Sequence, residues 1–324
     1  RLGRWTFVAE GRAPAREPAC MTTAITPIED RRNFGIGVLV IAQVFFAVLD
    51  TSAKYMAVAG IPTFQIVFVR YAVHVALLLA LVMPVRGAGL LRTGSWKLEL
   101  VRGLCLAGVT LTNFYAMQFL PLTVTGALLF TMPLMICVLS VPLLGETVGW
   151  RRWLAVGVGF AGILIIVRPG TEAFHPASIL CLVGALFGAF YSILTRKLAG
   201  VDSASTQTAY AGIVSLVCVT PFAFNGWVWP DDTGTWIAFF GAGVAGVLAH
   251  QLNAVAHRFA APSVLAPFSY LELLYLAFAS WIVFGEPPDI SFYVGAPIII
   301  LSGLYIWRRE RRLARPAITA RIAD

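Results

Sequence analysis

Apolar residues in this chain come in long runs cut by glycine, proline and charge, without the strict alternation of half-buried strands. Ten runs approach the roughly 20 apolar residues that a helix needs to cross the hydrocarbon core of a bilayer. They lie at about 34–54, 62–84, 101–119, 122–144, 151–168, 176–196, 205–224, 234–256, 262–284 and 290–307. The connections are short, so no water-soluble domain is expected between spans. A polar tail (1–33) precedes the first run and a basic tail (308–324) follows the last. Pro133 and Pro267 fall inside spans, where neighbouring groups can satisfy the carbonyl that a kink frees. The predicted fold is all-α and integral to the membrane, with ten transmembrane helices.

Composition supports that reading. Of the 324 residues, 59% are hydrophobic and only 12% charged, with a mean hydropathy of +0.81. Soluble domains carry roughly 25% charged residues, and so few could not coat a water-facing surface of this size. The net charge of +8 forms no basic face for nucleic acid, because the cations sit between runs and at the chain ends. With the N-terminus placed inside, 21 of the 24 Lys and Arg fall on one side of the membrane; Lys54, Arg70 and Arg168 are the exceptions. Both termini are therefore expected in the cytoplasm. Cys20, Cys105, Cys137, Cys181 and Cys218 have no CxxC spacing, so neither a disulfide framework nor a zinc site is expected. Residues 1–20 are rich in Pro, Ala and Arg and lack the apolar stretch of a signal peptide; Met21 is a candidate start.

The chain also repeats. At a shift of 140 residues, 113–146 aligns without gaps to 253–286. The informative matches are polar: Asn113 with Asn253, and Gly145-Glu146 with Gly285-Glu286. The unit is five spans, an odd number, so repeats covering 34–168 and 176–307 would insert with opposite orientations. Inverted repeats are a recurring plan of secondary transporters, with the substrate site near the midplane.

The run from Pro133 to Pro169, PLMICVLSVPLLGETVGWRRWLAVGVGFAGILIIVRP, resembles the fourth-to-fifth-span signature of the drug/metabolite transporter superfamily, EamA branch. The matching elements are Pro133, Leu144-Gly145-Glu146, Trp153, Gly157, Gly162 and Arg168-Pro169. Phe284-Gly285-Glu286 and Gly303 repeat them. DTSAKY at 50–55 and Arg70-Tyr71 resemble the first two spans of bacterial members. Pro287 and Pro288 depart from the pattern, standing where polar residues are usual. The resemblance covers about 34–310. It implies ten helices in two inverted EamA repeats, moving small metabolites across the bacterial inner membrane. Relatives of this kind export amino acids and drugs, or import riboflavin and S-adenosylmethionine.

Few residues could carry chemistry. Glu272 is read near the middle of span nine, where an ionised acid costs about 2.5–3.5 kcal/mol and needs a partner or a wet cavity. It is a candidate to accept a proton or recognise a cation; the competing role is a hydrogen bond that only helps assembly. Asp50 and Lys54 on span one, and Arg70 and His74 on span two, are each spaced i,i+4. They suit a local ion pair, either as a gate or as a structural network. His250, Asn253 and His257 form one polar stripe on span eight, and Asn113 is the repeat counterpart of Asn253. Histidines seven apart without a third ligand do not make a metal site. Tyr191, Tyr270 and Tyr275 could line a pocket for a flat ligand by stacking, or merely pack. Glu146 and Glu286 sit at span ends and read as caps or inter-loop partners.

The chain has no P-loop and no ATPase domain, so an ion or solute gradient would supply the energy. A membrane enzyme would want clustered histidines or acids at one face, and His74, His175, His250 and His257 are dispersed. The expected activity is secondary-active permeation of a small organic metabolite, with riboflavin uptake the specific expectation. Export of amino acids or drugs and S-adenosylmethionine transport remain alternatives. No cofactor or metal is expected, and the partners are the metabolite, membrane lipids and a second copy of the chain.

Overall fold

The computed structural model describes residues 32–144, 149–171, 174–198, 201–259, 265 and 268–322. The N-tail, Glu146 and Pro267, singled out above, lie outside them, as does the side chain of His257. The chain is all-helical. In order come α1 (Arg32–Val58), α2 (Thr63–Leu81) and α3 (Trp96–Ala116), then α4 in two pieces (Leu122–Leu129 and Met132–Leu144), then α5 (Trp150–Val167). The second set is α6 (Ala177–Leu198), α7 (Ala204–Ala223), α8 (Thr233–Phe259), α9 (described over Leu271–Phe284) and α10 (Ile290–Ile322).

Among the described residues five helical stretches are long and apolar enough to cross a membrane: 33–58, 63–85, 177–195, 205–223 and 233–253. Four shorter apolar stretches, Leu122–Ile136, Trp153–Val167, Leu271–Phe284 and Ile290–Ile306, complete most of the expected set. The remaining helix, α3, begins five residues before the expected start of span three. Lys97, Glu99 and Arg102 are therefore helical, and Glu99 and Arg102 are buried. Large apolar side chains point outward, among them Phe160, Ile237, Leu274, Phe278 and Leu301, all more than half exposed. Such a surface suits lipid, not water.

Local chemistry sets the ends. Asp232 caps α8, its carboxylate accepting the Thr235 N–H at 2.9 Å, and Ser203 caps α7 by accepting from Thr206 at 3.2 Å. Gly285 ends α9 with φ of +65°, a left-handed turn that costs glycine nothing. The interruption of α4 at Phe130-Thr131 follows from Pro133, which has no N–H for the carbonyl four residues back. Thr131, fully buried at the break, donates its hydroxyl to the Leu128 carbonyl at 2.6 Å. The expected single span 122–144 is thus two half-helices.

Helix pairing carries the repeat into three dimensions. α1 packs on α8 as α6 packs on α3; α2 packs on α8 as α7 packs on α3; α1 meets α9 as α6 meets α4. Exchanging each helix with the one five places along maps each of these pairs onto its counterpart. The self-paired contacts, α2 with α7, α4 with α9 and α5 with α10, lie on the exchange axis. Phe130 and Tyr270, 140 residues apart, stack there with ring centroids 5.2 Å apart. Where α5 crosses α10, the backbones touch: a Cβ on Gly162 would meet the Gly295 carbonyl at 3.0 Å, and one on Gly295 would meet the Gly162 carbonyl at 2.8 Å. The two sequence halves interleave, and neither forms a bundle alone.

Candidate functional site

Four helices bring charge and hydrogen-bonding groups to the middle of the bundle. Asp50 on α1, His250 on α8 and Glu272 on α9 are partly accessible, yet protein surrounds them on all sides. Half-buried groups that act on one another from different helices leave space between those helices, the candidate cavity. Arg70 and His74, one turn apart on α2, are 8% exposed. The Arg70 charge acts on Asp50, His74 and His250, and Asp50 acts in turn on Glu272. Arg70 Nη1 donates to the Thr110 hydroxyl at 2.7 Å, between the rings of Tyr71 and Phe114. Tyr71 shares the same hydroxyl at 2.7 Å, which fixes the guanidinium on two sides. His250 packs edge-on against Phe46, with centroids 5.1 Å apart, and lies 6.3 Å from His74.

Three polar atoms around this group are enclosed without a hydrogen-bond partner: Gln43 Oε1, His74 Nε2 and Asn113 Oδ1. Gln43 is two turns from Asp50 on α1, and Asn113 is one turn beyond Thr110 on α3. A buried acceptor without a donor loses its hydration, about 1–3 kcal/mol. The three lie on α1, α2 and α3, enclosed in the packed bundle, with His74 turned against Gly212 of α7.

Other candidates lie elsewhere. Lys54 does not form the local pair with Asp50 that i,i+4 spacing suggests. Its ammonium turns to the far end of α1, pairing with Glu286 and donating to the Leu120 carbonyl at 3.2 Å, over the Phe284 ring. The left-handed turn at Gly285 is the reason, bringing the Glu286 N–H to the Ser280 carbonyl at 3.0 Å and its carboxylate within 3.3 Å of the Ser280 hydroxyl. Glu272 stands in the first turn of the described Leu271–Phe284 stretch of α9. Tyr191 accepts from Arg102 at 2.7 Å, Tyr270 stacks on Phe130 with its hydroxyl against Gly303, and Tyr275 packs on the apolar core. Asn253 is partly buried on α8, a turn from His250.

Sequence reading missed Gln43 and noted Thr110 only as a neighbour of Asn113, because single polar residues in apolar runs carry no spacing signal. It missed the Arg102 network because Arg102, at the start of span three, was counted only among the cations of the cytoplasmic face. A Glu and an Arg three apart at the head of an apolar run was the available clue.

Residues 33–168 and 175–308 each match the EamA-like transporter family. The chain belongs to the EamA-like transporter family. Among its relatives, a riboflavin transporter of Vibrio cholerae is 34% identical, over 84% of this chain and 95% of that one. An S-adenosylmethionine uptake transporter of Rickettsia bellii is 30% identical, over 86% of this chain and 95% of that one. A riboflavin transporter of Brucella anthropi is 31% identical, over 80% and 92%. A crystal structure with 17% identity shares the fold at a TM-score of 0.58, covering 87% of this chain and 99% of that one. As an EamA-like transporter, the chain is a multi-pass membrane protein whose two matches coincide with the sets α1–α5 and α6–α10.

Proposed function

We propose that this EamA-like transporter is a secondary-active permease of the bacterial inner membrane that takes up riboflavin, with both termini in the cytoplasm. The cavity between the repeats carries the reading. It combines the fixed guanidinium of Arg70 with the acids Asp50 and Glu272, and polar atoms without a hydrogen-bond partner on Gln43, His74 and Asn113 lie on the flanking helices. Riboflavin offers an imide N–H and ribityl hydroxyls to the acceptors, ring carbonyls to Arg70, and a flat face to aromatic rings such as Phe46. Discontinuous helices are where transporters of this plan place their substrates, and α4 breaks beside this space.

The moving bodies in alternating access are mixed between the repeats 34–168 and 176–307. Helices α1, α2, α8 and α9 hold together, as do α3, α4, α6 and α7. Lys54, on α1 and paired with Glu286 after α9, reaches across to Leu120 between α3 and α4. It closes one mouth. Protonation of Glu272, with Asp50 beside it, supplies the coupling to a proton gradient.

A second reading has its own support: two carboxylates for one guanidinium also suit a cationic substrate such as S-adenosylmethionine. Titration of riboflavin fluorescence against purified protein separates the two. Saturable quenching, not displaced by S-adenosylmethionine, is expected. No quenching, or full displacement, overturns the assignment.

A further inference from the structure

The cavity uses none of the charge buried at the head of α3. Glu99 has no exposed surface. Its Oε2 accepts from Arg102 Nη1 at 3.2 Å, and its Oε1 has no donor. The side chain acting on it is another acid, Asp202 at the start of α7, which the Gly94 N–H holds beside the first turn of α3. The Asp202 oxygens already accept the Thr93 hydroxyl at 2.6 Å and the Gly94 N–H at 2.8 Å. Two carboxylates this close cannot both stay ionised without a large repulsion; one shared proton removes it.

We propose that Glu99 holds a proton and donates it to Asp202, making this acid pair a second proton-binding site, separate from Glu272. A metal cation fits poorly. Arg102 lies against the same Glu99 carboxylate, Thr93 and Gly94 occupy Asp202, and among the described residues no three or more His, Cys, Asp or Glu are grouped to hold a metal ion. The charged and titratable groups facing Glu99 are Arg102 on its own helix, Asp202 ahead of α7 and Tyr191 on α6.

The consequence runs through Arg102. Its Nε donates to Thr195 and its Nη2 to Tyr191, both at 2.7 Å, and its Nη1 also donates to the Gln207 carbonyl at 2.7 Å. One guanidinium thus ties α3 to α6 and α7, and its charge reaches His250 in the cavity. When the proton leaves Glu99 for the water at this mouth, a second negative charge appears beside Arg102. The guanidinium is drawn toward the acids and away from Tyr191 and Thr195, loosening three helices that flank the cavity. Proton occupancy at this mouth and the packing of its helices are one equilibrium.

This inference rests on the permease reading only for its consequence; the proton can be detected without substrate. Infrared spectra of the full chain in liposomes, titrated in pH, test it. Wild type should show a protonated-carboxyl carbonyl band near neutral pH that Glu99→Gln lacks. In Asp202→Asn the band should disappear at lower pH than in wild type, because Arg102 then favours the ionised Glu99 unopposed. An unchanged band in Glu99→Gln overturns the proposal. If that variant does not assemble, an Asp202→Asn titration identical to wild type overturns it. Riboflavin quenching is read separately, so failure of one assignment is not failure of the other.

Discussion

Asp50 and Lys54 sit one turn apart on α1, and their surroundings are opposite. Lys54 is 2% exposed and fully engaged, by a carboxylate, a carbonyl and an aromatic ring. Asp50 opens on the cavity, with the Arg70 charge nearby and Glu272 sharing the space. A charge whose partners are complete holds two bodies together. A charge left half-compensated is available to something that comes and goes. The same contrast separates Arg70 and Thr110, locked at 2.7 Å, from the unpartnered oxygen of Asn113 one turn further on.

The sharpest way to break the contrast is to remove the fixed cation of the cavity. Arg70→Ala leaves Asp50 without compensation, at a cost of about 3–5 kcal/mol in stability together with loss of uptake. Thermal unfolding of purified protein and a transport assay measure both. Arg70→Lys keeps the charge without the planar fork, and a partial recovery of stability is expected. At the closed mouth, a double-mutant cycle of Lys54→Met and Glu286→Gln should give a coupling of about 1 kcal/mol, because Glu286 is 37% exposed. Additive effects there would remove Lys54 from the closure. Asn113→Ala should leave stability nearly unchanged, since its oxygen has no bond to lose. It should weaken riboflavin binding roughly 3- to 10-fold, the worth of one hydrogen bond. Loss of stability without loss of binding would make Asn113 structural.

The smallest effect lies outside the membrane. Hydrogen bonds from the Thr235 hydroxyl and N–H hold the Asp232 carboxyl below its ordinary value of 3.8. The cap's contribution is complete above that ordinary value and disappears as pH falls through the lower folded one. Asp232→Ala should lower the melting temperature slightly at neutral pH, and the difference from wild type should vanish in strong acid. A difference that persists there would mean that the cap does not act through its charge.

Much of this architecture was legible because lipid imposes a simple rule: long apolar runs cut by charge. The repeat was legible for a similar reason, since Asn113/Asn253 and the two Gly-Glu pairs stand out in apolar surroundings. Span three was begun five residues late because Lys97 and Glu99 looked like loop charges; mutual pairing lets Glu99 and Arg102 be buried. The break in α4 was hidden because Pro133 signals either a kink or an interruption. The partner of Lys54 was invisible, lying 232 residues away across the bundle, while Asp50 lay four residues away. Spacing finds local partners only.

The central claim is that riboflavin crosses through the cavity that holds Glu272. Uptake of radiolabelled riboflavin by a riboflavin-auxotrophic bacterium expressing the chain tests it directly, with Glu272→Gln as the companion and membrane levels matched. The wild-type chain should restore growth and accumulate label, and Glu272→Gln should lose that uptake or its pH dependence. Failure of the wild-type chain to accumulate label, or a wild-type rate and pH profile in Glu272→Gln, would contradict it.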